Sequence, residues 1–438
     1  MRKLTIVGMV ALLSAWTGWA DAARNAAARA ELIKGVESID APGGALPGPF
    51  VCLSDDAFNV IAARNYDGTI HPVTVGAFYG EGRVVALGHP AFLSNKATMG
   101  ETAQYLRNAT TWLRQGKAGK VAVIKNEGVL ANLKSCGVEA EKVESVDQAL
   151  TYPVMVLMSS EVASSEFAKV HDYVRKGGGL LSEALTWGWA YFAERSTGLI
   201  TPSLYYDAEK LFAPFGFVAG DSGVNRSGGK GFETAVPFPV GTTFPEALKA
   251  LRDGVTEKNA SVRAQVTKTL VQAAYACPPS AEKVFGELSV LGNEPQAQKR
   301  PSPEQPLKAA DALSRVGMVL RQNAWQQDPV KLWPADPAAA VYPGRAKAGA
   351  KVVDNEKIPV DLSVPRWRST GLFADAGAPI TVKLAPGAEK LGLKLRVGTT
   401  GDDNTTCDEW KRAPLVTVTM PLDKPEMTFS TPFGGLLY

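Results

Sequence analysis

The sequence lacks the pattern that zinc peptidases of the His-Glu-x-x-His type require. Its 438 residues include three histidines, His71, His89 and His171, and no two lie within five residues of each other. That chemistry needs two imidazoles four residues apart on one helix face and a glutamate that acts as base on metal-bound water. None of the three histidines precedes a glutamate, so this mechanism is excluded within these residues.

Cysteine is scarce and no two cysteines lie close together. The four are Cys52, Cys136, Cys277 and Cys407. Without a Cys-x-x-Cys pair, zinc-knuckle and thioredoxin-like functions are excluded. Buried free thiols and disulfides, for which three full connectivities exist, both remain open.

The sequence also lacks an excess of charge of either sign. Lys and Arg number 47 and Asp and Glu number 44, which leaves a net charge of +3. No basic run follows that could track phosphates, so the sequence predicts no nucleic-acid partner.

A long apolar run is absent after the first residues. Arg2 and Lys3 precede the apolar stretch Leu4 to Trp16, and Ala20-Asp21-Ala22 supplies a small-x-small cleavage pattern. These features predict a signal peptide over residues 1–22, with an uncleaved anchor as the alternative. We therefore expect a secreted, periplasmic or cell-surface protein with no membrane span after signal cleavage.

The next 270 or so residues predict a helical segment and then an α/β domain. Residues 23–45 begin Ala/Arg-rich and end in Pro42-Gly43-Gly44, and a hairpin is expected over Val73–Phe78 and Arg83–Leu87. Continuous apolar runs predict buried parallel strands, with amphipathic helices between them. These runs are Val121–Ile124, Val154–Met158 and Leu180–Glu183. We assign residues 46–290 to this domain.

Residues 291–365 are polar and proline-rich at their start and loose at their end, which predicts a linker region. Residues 366–438 then alternate apolar and polar side chains in three segments, around Ile380, Leu393 and Val416. Such a period of two is typical of antiparallel strands with one solvated face. A β-sandwich is therefore expected here.

The end of the chain resembles one peptidase family. The residues that carry the resemblance are Trp367, the run Ser369–Phe373 and the closing Phe433-Gly434-Gly435-Leu436-Leu437-Tyr438. This constellation resembles the entry module of enhancin-like, mucin-targeting zinc metallopeptidases. In that family a catalytic zinc domain follows the Gly-Gly-aliphatic-Tyr strand, whereas this sequence stops there.

The resemblance implies a non-catalytic N-terminal portion that serves as scaffold or docks a glycoprotein or mucin-type glycan. It implies no cofactor in this chain, with zinc expected only in the missing catalytic domain. The sandwich would be incomplete, which predicts an unpaired apolar edge at residues 436–438, poor order there and self-association. A stand-alone secreted glycan- or protein-binding module is the alternative.

A second resemblance covers roughly residues 45–290. The turn Lys176–Leu180, the run Trp187-Gly188-Trp189 and the segment from Tyr79 to His89 resemble the glutamine-amidotransferase-like domain of the same peptidases and of the TRP channel-associated factors. This implies a flavodoxin-like parallel sheet. No cysteine nucleophile follows the strand that ends at Glu183, so the domain is expected to be non-catalytic.

Two groups of residues are candidates for ligand binding. The first contains His89, Trp187, Trp189 and Tyr191, with Phe192 beside them, near the carboxyl ends of predicted strands, where ligands of open α/β sheets bind. Aromatic faces also stack on sugar rings. The alternatives are a histidine that fixes a turn and aromatic side chains that plug a core.

The second group is Trp367, Arg368, Ser369, Thr370 and Gly371. These residues either recognise a partner or anchor a strand through Trp367 and a turn through Gly371. Asp402, Asp403 and Asn404 are compatible with a cation-binding loop or with Asx turns.

Overall fold

A computed structural model describes residues 21–40, 42–97, 100–200, 206–226, 231–363 and 365–438. Most of the predicted signal peptide lies outside these residues. The chain forms two compact units, one of Met1–Trp187 with Ser203–Phe285 and one of Gly188–Pro202 with Gly286–Tyr438.

The strands of the first unit are β1 (Ser38–Ile39), β2 (Phe50–Cys52), β3 (Ala57–Arg64), β4 (Ile70–Tyr79), β5 (Gly82–Leu87), β6 (Val121–Ile124), β7 (Ala140–Val143), β8 (Val154–Met158), β9 (Gly179–Glu183), β10 (Phe217–Ala219) and β11 (Phe232–Glu233). The strands of the second unit are β12 (Phe373–Ala374), β13 (Ile380–Lys383), β14 (Lys394–Gly398), β15 (Val418–Pro421), β16 (Glu426–Phe429) and β17 (Gly435–Leu437).

The α-helices are α1 (described from residue 21 to residue 32), α2 (Ala91–Ser94), α3 (Thr102–Arg114), α4 (Glu127–Ser135), α5 (Val146–Ala149), α6 (Phe167–Arg175), α7 (Thr186–Thr197), α8 (Asp207–Phe212), α9 (Phe244–Arg252), α10 (Val255–Lys258), α11 (Ala260–Ala276), α12 (Glu282–Asn293) and α13 (Ala312–Gln327).

A seven-stranded sheet organises the first unit, in the order β3-β4-β5-β9-β8-β6-β7. Strands β5, β9, β8, β6 and β7 are parallel, and β3 and β4 are antiparallel additions at one edge. The hairpin and the three buried strands predicted from the sequence are confirmed, and so is the α/β class. The sheet is mixed, however, because β3 and β4 pair antiparallel with their neighbours. The amidotransferase-like arrangement stays a prediction.

Apolar side chains cover this sheet on the α3 side. On α3 the residues spaced three and four apart are buried: Tyr105, Leu106, Ala109, Trp112 and Leu113. Trp112 contacts the rings of Phe58 and Phe78 edge to face, at centroid distances of 6.0 and 5.5 Å. The helix face predicted from periodicity is thus the face that packs on the sheet.

Two antiparallel sheets form the β part of the second unit. One has the order β12-β17-β14-β15, and the other joins β13 to β16. The α/β plus β class predicted from the sequence is therefore confirmed. Whether these sheets are part of a sandwich of the peptidase family stays a prediction.

The prediction of an unpaired C-terminal edge is wrong. Strand β17 lies between β12 and β14, with Leu436 opposite Phe373 and Gly398. The backbone of Tyr438 also exchanges two hydrogen bonds with Arg396, of 2.9 and 3.0 Å. The apolar residues at the end of the chain are therefore paired on both sides, which removes the reason to expect poor order or edge-to-edge association there.

The segment predicted as a linker contains the helix α13. Several polar side chains of this helix are buried, among them Arg315, Gln322 and Gln326. The Arg315 guanidinium carbon lies 4.4 Å from the ring centroid of Trp410, and its Nη2 donates to the Cys407 carbonyl oxygen at 2.5 Å. Burial lowers the pKa of Arg315 to about 10.

All four cysteines are unpaired. Cys52, Cys136 and Cys277 are buried and Cys407 is exposed. Of the two alternatives left open by the sequence, the structure has free thiols. Within the described ranges, no helix combines the length and apolar character that crossing a bilayer requires.

The close approach of two glycines gives a stability prediction. Gly48 donates its N–H to the carbonyl oxygen of Gly88 at 2.8 Å, and a Cβ added at Gly88 would overlap the Gly48 carbonyl oxygen. We expect Gly88→Ala to lower the free energy of unfolding by about 1–3 kcal/mol, measured by urea denaturation.

The matched control is Gly286→Ala in helix α12, where an added Cβ meets no atom within 4 Å. Alanine in a helix interior is about 0.5–1 kcal/mol more favourable than glycine, so this variant should be neutral or more stable. Equal effects of the two substitutions would contradict the overlap at Gly88.

Candidate functional site

His89 follows β5 and fixes the turn into α2. The N–H of Ala91 donates to His89 Nδ1 at 2.9 Å, and burial lowers the pKa of His89 to about 4. A ring nitrogen that accepts leaves the proton of the neutral imidazole on Nε2. Of the two interpretations offered by the sequence, the structure supports the histidine that stabilises a turn.

Trp187 holds the loop that lies beside this turn. Its Nε1–H donates to the Leu46 carbonyl oxygen at 3.2 Å, and Gly48 in the same loop bonds to Gly88. Trp187 and Gly88, the residue before His89, thus both bond to one short loop, residues 46–48. Whether His89 and Trp187 also contact a ligand stays a prediction.

Glu183 is a buried carboxylate at the carboxyl end of β9 that the sequence analysis did not select. Its Oε1 accepts from the backbone N–H and the hydroxyl of Ser159, at 3.2 and 3.0 Å. Its Oε2 is buried without a hydrogen-bond partner. Burial raises the pKa of Glu183 to about 7, and the nearby Glu161 contributes in the same direction. The sequence did offer a signal for this residue, because a charged residue stands at the end of an apolar strand.

Glu161 and Asn126 extend the polar groups along the same edge of the sheet. Asn126 follows β6 and caps α4 by accepting from the N–H of Val129 at 2.8 Å. Its Nδ2 donates to Glu161 Oε1 at 2.6 Å. Polar side chains therefore stand at the carboxyl ends of β9, β8 and β6, where open α/β sheets bind ligands.

Glu209 is fully buried but has partners for both oxygens. Thr186 Oγ1 donates to Oε1 at 3.2 Å and the N–H of Ala219 donates to Oε2 at 3.1 Å. Burial raises the pKa of Glu209 well above its ordinary value. This carboxyl group ties α8 to the start of α7 and to β10, which is a structural role.

In the second unit, the aromatic residues of α7 are only partly buried. Tyr191 and Phe192 are 51% and 65% exposed, and their rings meet edge to face at 5.4 Å. Trp189 is half-buried. Tyr191 and Phe192 therefore do not plug a core, which was one of the two interpretations of this cluster.

Trp367 lies next to the end of α7 and to β14. A Cβ added at Gly198 would lie 3.5 Å from Trp367 Cζ2 and 3.7 Å from Lys394 Cδ. The Arg396 guanidinium carbon is 5.8 Å from the Trp367 ring centroid. Tyr191 on α7 and Trp367, which come from the two groups predicted by sequence, thus belong to one unit, and Gly198, the residue after α7, lies beside Trp367.

The residues after Trp367 are held by the last strand. Thr370 donates through its N–H and its hydroxyl to the Leu437 carbonyl oxygen, at 3.0 and 2.9 Å. Ser369 Oγ accepts from the N–H of Gly371 at 3.2 Å, and Gly371 has φ +73°, which favours glycine. Ser369, Thr370 and Gly371 therefore build a turn and a strand junction, and Arg368 is exposed.

The described residues contain no group of three or more His, Cys, Asp or Glu side chains able to hold a metal ion. Each histidine contacts other groups: His71 Nε2 lies 2.9 Å from Thr69 Oγ1, and His171 Nε2 lies 2.9 Å from the Leu211 carbonyl oxygen. The N–H of Thr405 donates to Asp403 Oδ1 at 2.8 Å, which is the Asx turn offered as the alternative to a cation-binding loop.

The raised pKa of Glu183 predicts a pH dependence of stability. Because the folded protein binds this proton more tightly than the unfolded chain, the stabilisation is fully present below pH 4.5 and is lost as the pH rises through 7. We expect Glu183→Gln, which cannot ionise, to flatten the fall in the free energy of unfolding between pH 5 and 8. The difference from the unsubstituted protein should be on the order of 3 kcal/mol.

The control for this measurement is Glu257→Gln, which replaces an exposed glutamate of the same unit. Its pH profile should match that of the unsubstituted protein. An unchanged slope in Glu183→Gln would show that the Glu183 carboxyl group is already ionised in the folded protein at pH 5.

Two family profiles match the chain. Residues 14–226 match the TCAF_N family, described as the N-terminal domain of TRPM8, and residues 350–438 match the N-terminal domain of M60-like peptidases. The second match contains Trp367 and the strand β17.

Curated relatives are similar over nearly the whole chain. TRPM8 channel-associated factor 1 of Homo sapiens is 24% identical over 94% of this chain and 43% of its own length. TRPM8 channel-associated factor 2 of Bos taurus is 26% identical over 93% of this chain and 43% of its own length. The chain thus spans less than half of the length of these relatives.

Among solved structures, the IMPa metallopeptidase from Pseudomonas aeruginosa aligns over 98% of this chain and 52% of its own, with 16% identity and a TM-score of 0.43. The structure of IMPa in complex with an O-glycopeptide aligns with a TM-score of 0.44. The resemblance expected from the sequence is confirmed on both counts: this chain is similar to the TRPM8 channel-associated factors over most of its length, and to the N-terminal domain of M60-like peptidases over its last residues.

Proposed function

We propose that this chain is the non-catalytic N-terminal portion of a secreted zinc metallopeptidase that acts on mucin-type glycoproteins, and that it docks their glycans. The match of residues 350–438 to the N-terminal domain of M60-like peptidases supports the family. The lack of a His-Glu-x-x-His motif in the sequence supports a docking or scaffold role over a catalytic one.

One observation carries the docking proposal: aromatic side chains are exposed in the second unit, which contains the matched region. We name Tyr191, Phe192 and Trp367 the aromatic surface. Tyr191 and Phe192 expose half or more of their side chains, and Trp367 is half-buried. A large apolar side chain that stays in water is an anchor available to a ligand, and flat aromatic faces stack on sugar rings.

The spacing along α7 suits an extended ligand. Tyr191 and Glu194 are three residues apart and share one face of α7, and Gly198 follows directly after the last residue of the helix. The rise of 1.5 Å per residue places Tyr191 roughly 10 Å along the helix axis from Gly198, which packs on Trp367. A ligand that contacts both rings would span about this distance, which favours an oligosaccharide or glycopeptide over a monosaccharide.

We expect the double substitution Tyr191→Ala and Phe192→Ala to weaken O-glycopeptide binding about tenfold, because aromatic contacts contribute about 0.5–1.5 kcal/mol each. Isothermal titration calorimetry on the purified chain measures the change. The thermal midpoint should stay the same, since both side chains are exposed.

The matched control is Tyr66→Ala. Tyr66 is 92% exposed and lies in the first unit, so its loss removes an exposed aromatic ring outside the aromatic surface. It should leave glycopeptide binding unchanged. An equal loss in the control, or no binding by the unsubstituted chain, would refute the docking proposal.

We also expect the purified chain to hold no stoichiometric zinc and to cleave no mucin. The physical reason is that its histidines lie far apart in sequence and each contacts other groups in the structure. Metal analysis after dialysis and a mucin-cleavage assay with and without chelator measure this. One zinc per chain together with chelator-sensitive cleavage would overturn the non-catalytic assignment.

A stand-alone secreted glycan- or protein-binding module is the second candidate. The similarity to TRPM8 channel-associated factors over 94% of the chain supports a binding role, because those relatives are described as channel-associated factors and not as peptidases. If this candidate holds, the DNA downstream of codon 438 will encode no His-Glu-x-x-His helix. A downstream helix of that kind would favour the first candidate.

A further inference from the structure

We propose that the aromatic surface selects glycans that carry an acidic group, a carboxylate or a sulfate, over neutral ones. The inference rests on the proposed docking function and specifies its ligand. The observation that supports this preference is the positive charge of the side chains beside Trp367.

Two basic side chains lie beside Trp367. Arg396 lies over the indole ring, with its guanidinium carbon 5.8 Å from the centroid, and Lys394 lies beside Trp367 at Gly198. Both residues come from β14, whose alternation sends Lys394 and Arg396 to the same face while Leu395 is buried. The strand register therefore places two positive charges beside one aromatic ring.

Another arginine, Arg366, precedes Trp367 in the chain and is exposed. Arg368, which follows Trp367, does not add to this charge because it already interacts electrostatically with Asp361. Arg366 has φ +92°, a conformation that side chains other than glycine rarely adopt and that is found more often at binding sites than elsewhere. The segment thus presents a further positive charge, Arg366, beside Trp367 from a backbone conformation that costs free energy locally.

The negative charge near these groups is smaller. Glu194 of α7 approaches Gly401, which also packs against Arg396 Nη2. In the part of the chain that the structure describes, no carboxylate forms an ion pair with Arg396, whose guanidinium lies over the Trp367 ring. Lys394, Arg396 and Arg366 against the one nearby glutamate, Glu194, leave the surroundings of Trp367 positive.

This combination favours an acidic sugar. A guanidinium stacked near an aromatic face keeps its N–H edge available, and that edge matches a carboxylate or sulfate in a bidentate geometry. The ring supplies stacking to the sugar body. A neutral glycan would use the rings but would offer no negative charge to Lys394 and Arg396.

The test compares one O-glycopeptide in three forms: with a terminal sialic acid, with a sulfated sugar, and with the neutral glycan alone. Calorimetry at low ionic strength should show the acidic forms binding roughly fivefold to tenfold more tightly than the neutral form. The preference should shrink as salt is added. The sialylated and sulfated arms distinguish the two sources of negative charge.

Arg396→Gln should abolish the preference while leaving binding of the neutral form within twofold. The matched control is Lys347→Gln, an exposed lysine of the same unit, which should keep the preference. The backbone of Arg396 pairs with Tyr438 independently of its side chain, so the fold should persist, as checked by the thermal midpoint.

The outcomes separate the two proposals. Equal affinity for all three forms leaves the docking function standing and overturns the charge selection. Binding of none of the three overturns the docking function itself. If Arg396→Gln unfolds the chain, Lys394→Gln provides the same comparison, and an unchanged preference in that variant counts against the inference.

Discussion

The covering of the seven-stranded sheet on both faces is the constraint on which the first unit depends. Strands β6 and β8 are buried along their whole lengths, so they cannot carry a charged side chain without a partner. In the central strands β6, β8 and β9, charged side chains are therefore absent or lie at a strand end. Glu183 shows this: it ends β9, and Ser159 at the end of β8 satisfies one of its oxygens. Glu161 and Asn126 pair with each other along the same edge.

The same constraint explains which elements the sequence predicted. Buried parallel strands leave continuous apolar runs, and Val121–Ile124 and Val154–Met158 are β6 and β8 without any shift of their bounds. Strand β7 (Ala140–Val143) was missed because it is an edge strand with Glu141 and Lys142 at its centre. Helix α13 was missed because its buried face includes Arg315 and Gln322, which break the apolar pattern.

The candidate site was predictable only in part. The sequence selected Tyr191 and Trp367 as aromatic residues in suggestive places, but their exposure depends on what packs around them. The contact between Trp367 and Gly198 joins positions about 170 residues apart, and no local pattern encodes it. Glu183 could be recognised in the sequence as the last residue of a strand. Its partner Ser159 could not, because the two residues meet only through the pairing of β8 with β9.

The position of β17 has a consequence for the order of events during synthesis. Strands β12 and β14 do not pair with each other; each pairs with β17. The ladder between β14 and β15 can form as soon as both strands have left the ribosome. The four-stranded sheet, however, stays divided until Gly435–Leu437 has emerged. Until then the nascent chain exposes the backbone of β12 and one side of β14, and a chaperone that shields open ladders would act on it at that stage.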